Sequence, residues 1–155
     1  MVQLLIWAPV VLLPLSNLLS AVNSGVSFDF SQRALWVFGA VAEELFYRFF
    51  LLKKLLLDRS GMKPANAVLL VSLLFSVMHL FNLRAETDLF PVLVQAFCAF
   101  CFSVWAGTVV CKRRSVFIPL LAHMLMNLTA VESSGVLIPM AAGIVVLLDG
   151  ILLIL

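Results

Sequence analysis

The chain has 155 residues, of which 64% are hydrophobic and 12% charged, with a mean hydropathy of +1.17 and a formal charge of +2. Soluble domains average under half apolar, so this composition excludes a soluble enzyme and points to a multi-pass membrane protein. The small net charge says little until the charges are placed, and no nucleic-acid partner is expected.

Val2 to Leu19 is apolar and long enough to cross a bilayer, since a span needs about 20 residues. It lacks a basic start and a small-x-small cleavage site, and Pro9 and Pro14 interrupt it, so it reads as a retained first helix. A polar loop follows from Asn23 to Arg33, with Gly25, Asp29 and a Ser31 placed to cap the next helix. Ala34 to Leu57 is the second span, ending in Lys53, Lys54, Arg59 and Lys63 with Gly61 and Pro64 as breakers. Ala65 to Leu83 is the third, and Arg84, Glu86 and Asp88 form the loop to a fourth from Leu89 to Cys111. Lys112-Arg113-Arg114 closes that span. Ser115 to Ala130 is the fifth, Glu132 to Gly135 a loop, and Val136 to Leu155 the sixth.

The expected fold is therefore all-α, a polytopic membrane bundle of about six transmembrane helices in one domain, residues 1–155. The basic clusters all fall after the second and fourth spans, whereas the other loops hold only Arg33 and Arg84. The positive-inside rule then puts both termini in the cytoplasm. Cys98, Cys101 and Cys111 lie in or at the end of the fourth span, and an odd number there argues against a disulfide framework. Cys98-x-x-Cys101 reads as small-residue helix packing rather than a redox or metal motif.

The unusual feature is Glu43, Glu44 and Arg48 inside the second span. A charge near mid-bilayer costs about 2.5–3.5 kcal/mol on insertion scales, so these residues need partners or a function. Residues four apart stack on one helix face, which lets Glu44 neutralise Arg48 locally. Glu43 lies about 100° around the helix and is left unclaimed.

Depth counted at 1.5 Å per residue puts Glu43 about 14 Å and Asn127 about 12 Å from the outer surface. His79 and His123, the only histidines, fall about 9 and 18 Å from that same outer surface. Glu43, His79, His123 and Asn127 thus share one slab, and His123 and Asn127 share a helix face. A carboxylate, two imidazoles and an amide suffice to activate water and stabilise an oxyanion. Taken singly, a buried His is more often a hydrogen-bonded core residue, and Asn127 alone would be helix glue. No His-Glu-x-x-His, Gly-x-Ser-x-Gly, intramembrane Asp pair, Walker loop or dinucleotide fingerprint occurs.

Glu43-Glu44-x-x-x-Arg48, Phe75-x-x-x-His79 and His123-x-x-x-Asn127, in that order over residues 43–127, resemble the CPBP family of CAAX-protease and bacteriocin-processing intramembrane peptidases. Gly107, Ser115 and Pro119 resemble the family's usual approach to the third motif. The resemblance implies a glutamate-dependent intramembrane endopeptidase. In it Glu43 with His79 would activate water, His123 and Asn127 would hold the oxyanion, and Glu44 with Arg48 would brace the helix. The motifs leave the need for a metal open; no cofactor is expected, because Asn127 is a poor zinc ligand but a good oxyanion donor, and a zinc ion would take Glu43, His79 and His123 as ligands. The implied partners are the lipid bilayer and a membrane-anchored peptide or protein, such as a leader or C-terminal sorting segment. The expected location is the cell membrane, with the site nearer the outer face. Two other classes fit the residues: a non-proteolytic scaffold or bacteriocin-immunity protein, and a small proton-coupled transporter subunit.

Overall fold

A computed structural model describes residues 2–24, 30–57, 62–84, 88–130 and 137–154. The loop features expected at Gly25, Asp29, Arg59, Gly61, Glu86 and Glu132 to Gly135 lie outside the described residues. Among those described, every regular element is helical. Helix α1 is Val2–Ser24. Helix α2 starts as Phe30–Glu44, widens into a π-helical stretch at Leu45–Leu52, and continues as Lys53–Leu57. Helix α3 is Pro64–His79 with a 3-10 turn at Leu80–Arg84. Helices α4, α5 and α6 are Leu89–Arg113, Phe117–Thr129 and Leu137–Ile154.

The protein is a polytopic helical bundle, and α1, α3 with its 3-10 turn, α4 and α6 are long and apolar enough to cross a membrane. The other two segments differ from the expected uniform spans for separate reasons. Helix α2 is long enough, but its apolar stretch carries three charges, Glu43, Glu44 and Arg48. Helix α5 has 13 residues, about 20 Å of rise against a hydrocarbon core of about 30 Å. Ser31 sits inside α2, which is already helical at Phe30, so it does not cap that helix.

Helix α4 is the centre of the bundle: residues 101–109 are all buried, as expected of a helix apolar around its whole circumference. It packs along α3 and α6, while α5 packs against α1 and α2. Close approach depends on small residues, the mode that membrane bundles use. At Gly150 a Cβ would stand 2.9 Å from Trp105 Cα, so α6 lies directly on the α4 backbone. Cys98 and Cys101 are free thiols packed beside Gly143 of α6.

Proline in α1 has a visible consequence. Pro9 has no N–H, so the Leu5 carbonyl one turn earlier loses its helical partner. The indole Nε1 of Trp105, itself fully buried, donates to that carbonyl at 3.0 Å. At the same end of the bundle Arg113 of α4 hydrogen-bonds Gln3 of α1.

The short helix α5 is held at its C-terminus by side chains of its neighbours. The last four carbonyls of a helix have no intrahelical donors. Here Asn17 Nδ2 donates to the Met126 carbonyl at 2.9 Å, and Arg33 Nη1 to the Leu128 carbonyl at 2.8 Å. Arg33, expected in a loop, is a buried residue of α2 with its cation at the negative end of α5.

Candidate functional site

Three helices bring the sequence-selected residues to one cavity. Glu43 comes from the last α-helical turn of α2, His79 from the end of α3, and His123 and Asn127 from consecutive turns of α5. All four line a cavity of about 1210 Å³, together with Tyr47, Phe75 and Phe102. The π-helical stretch begins one residue after Glu44. Within it Tyr47, Arg48 and Leu52 are buried.

Glu44 and Arg48 do not line the cavity; both are fully buried beneath it. Glu44 Oε1 lies 3.1 Å from Arg48 Nη1, the intrahelical pair that i, i+4 spacing provides. The contact lacks hydrogen-bond alignment, so the guanidinium is held by charge and by ring faces. Its carbon sits 4.4 Å from the Phe75 ring centroid and 5.6 Å from that of Phe102.

The same Glu44 Oε1 also lies 3.0 Å from His123 Nδ1. An ionised carboxylate paired with arginine only accepts, so Nδ1 carries the proton and donates it. That bond turns the other ring nitrogen, Nε2, toward Glu43, whose Oε2 is 3.7 Å away. The gap is too long for a direct hydrogen bond. His123 is 3% exposed and Glu43 41%, so the imidazole is fixed while the carboxylate faces open space. The His123 ring rests on Phe102, with centroids 5.0 Å apart.

His79 is oriented by its own helix. Its Nδ1 lies 2.9 Å from the Phe75 carbonyl of its own helix, so Nδ1–H donates there and Nε2 is the nitrogen left for the cavity. The imidazole nearest Glu43 is therefore His123. Asn127 Nδ2 donates to the Trp36 carbonyl at 2.9 Å, which uses one of its two amide protons.

Glu43, His79 and His123 were the residues named for a possible zinc ion. Among the described residues, no three His, Cys, Asp or Glu side chains are grouped so as to hold a metal. The His123 and His79 Nδ1 atoms are committed to Glu44 and Phe75, which leaves Nε2 as the open nitrogen of each ring.

Two relationships were not visible in the sequence. The Glu44–His123 bond joins residues 79 positions apart, and nothing local signals it. Tyr47 follows Glu43 by one helical turn and lines the same cavity, yet its spacing reads as ordinary packing.

No curated protein and no solved structure matches this chain. A family model described as type II CAAX prenyl endopeptidase Rce1-like matches residues 30–129, well over half of the chain and all of α2 to α5 that is described. Glu43, Glu44, Arg48, His79, His123 and Asn127 all fall inside that range. The chain is a membrane protein of the type II CAAX prenyl endopeptidase, Rce1-like family.

Proposed function

We propose that this protein is an intramembrane endopeptidase that hydrolyses a membrane-anchored peptide with water activated by Glu43. The observation that carries the reading is the shared cavity, into which one exposed carboxylate, two imidazoles and an amide project. In the proposed arrangement a doubly protonated His123 stands between the Glu44 and Glu43 carboxylates. His123 then donates through Nδ1 to Glu44 and presents Nε2–H beside Glu43.

In the proposed reaction a water held by Glu43 and His79 Nε2 gives its proton to Glu43 as its oxygen attacks the scissile carbonyl carbon. The carbonyl oxygen becomes an oxyanion, which accepts from His123 Nε2–H and from the second Asn127 Nδ2–H. Collapse breaks the C–N bond, and the proton on Glu43 passes to the leaving amine. His79 acts with Glu43 on water rather than through a direct bond to it. Glu44 and Arg48 hold His123 from outside the cavity.

The anchored substrate sits in the membrane with its cut segment in the cavity. The family name makes a farnesylated CAAX peptide the first probe, and a leader or C-terminal sorting peptide the second. The placement proposed is the cell membrane, with both termini cytoplasmic. Purified protein in lipid vesicles should release the C-terminal fragment of one of these probes, read by mass spectrometry, and Glu43→Gln should abolish release. Release by Glu43→Gln at the wild-type rate would refute the reading and favour the scaffold or immunity alternative.

A further inference from the structure

Asn82 Nδ2 donates to Gln95 Oε1 at 2.8 Å, and both side chains line the cavity. Two primary amides joined by one bond leave one carbonyl oxygen and one NH2 group free, side by side. Turning both amides together leaves the same free set. A residue in extended conformation offers the complementary set, with its N–H and C=O directed to the same side.

The pair is not needed to hold α3 against α4, because Ser76 Oγ already donates to the Ala96 carbonyl across that contact at 2.8 Å. Both amides are exposed, where a mutual bond gains little over bonds to water.

Its position relative to the candidate catalytic groups can be counted along two helices. Asn82 lies in the 3-10 turn three residues after His79, and residues i and i+3 eclipse in such a turn. Gln95, Ala99 and Phe102 share one face of α4 and all line the cavity, and Phe102 carries the His123 ring. Seven residues of helix separate Gln95 from Phe102, a rise of about 10 Å. Extended peptide covers that distance in about three residues at 3.3 Å each.

We infer that Asn82 and Gln95 form a docking site for the main chain of an extended peptide, about three residues from the bond that is cut. The inference rests on the peptidase reading and deepens it: the pair reads backbone, so it fixes register while tolerating different side chains.

The test uses Glu43→Gln protein in vesicles and a farnesylated peptide ending in Cys-Val-Ile-Met, with each backbone amide N-methylated in turn. Methylation at one position about three residues from the cut should weaken binding about tenfold, the loss of a net hydrogen bond at the upper end of its range. Adding Asn82→Ala with Gln95→Ala should weaken the parent peptide by a similar factor and erase that methylation penalty. Gln95→Glu keeps the bond from Asn82 and deletes the free NH2, so it should also weaken binding with the fold intact. A methylation penalty unchanged in these variants, or no binding of the parent peptide, would overturn the inference. Cleavage is read separately in protein with native Glu43. Cleavage without coupling removes this inference alone, and coupled binding without cleavage removes the peptidase reading alone.

Discussion

Replacing Glu44 by glutamine removes the buried carboxylate that contacts both Arg48 and His123. Glu44 Oε1 stands 3.1 Å from Arg48 Nη1 and 3.0 Å from His123 Nδ1, and Glu44 and Arg48 are 0% exposed. Removing one partner of a buried ion pair costs about 3–5 kcal/mol, because the other charge is left uncompensated. Glu43→Gln is the internal comparison: its side chain is 41% exposed and 3.7 Å from its nearest charged partner, so the cost should be within about 1 kcal/mol. Replacing the pair together, Glu44→Gln with Arg48→Met, should recover most of the lost stability, since well-packed apolar groups replace buried ion pairs at little cost. Activity should stay low in that double variant, because the carboxylate that orients His123 is gone. Unfolding can be followed in detergent by a thiol-reactive dye reporting on Cys101, which is 0% exposed in the folded protein. A Glu44→Gln protein as stable as Glu43→Gln would refute the reasoning.

Trp105→Phe deletes the donor to the Leu5 carbonyl and should destabilise by about 1–3 kcal/mol in the same assay. Pro9→Ala restores the missing helical N–H, so the penalty should shrink in the Pro9→Ala, Trp105→Phe protein. Gly150→Ala places a methyl 2.9 Å from Trp105 Cα, a backbone atom that cannot swing aside, and should cost about 1–3 kcal/mol. Gly39→Ala meets nothing within 4 Å and should leave α2 as stable or up to about 1 kcal/mol more so.

The features legible in the sequence were those set by local spacing. The Glu44–Arg48 pair follows from four residues on one helix, and the apolar runs located the helices within a few residues. The convergence of Glu43, His79, His123 and Asn127 on one cavity followed from depth counting, which uses only helix rise. Rotation of each helix about its own axis was not legible, because packing sets it. That rotation decides that His123 rather than His79 stands beside Glu43, and that Glu44 reaches across to α5. Arg33 shows the same limit: its charge suggested a loop, whereas the open carbonyls ending α5 make a buried position favourable. The π-helical stretch left no mark in the apolar pattern of Leu45 to Leu52.

The central claim is that Glu43 activates water for peptide cleavage in this cavity. Its most direct test is mass spectrometry of a farnesylated CAAX peptide and a membrane-anchored leader peptide, each incubated in vesicles with wild-type or Glu43→Gln protein, with thermal unfolding measured on both preparations. The account predicts a defined cleavage product with wild type only, from two proteins of matching stability. Equal cleavage by both proteins, or no product from either peptide with folded wild type, would contradict it.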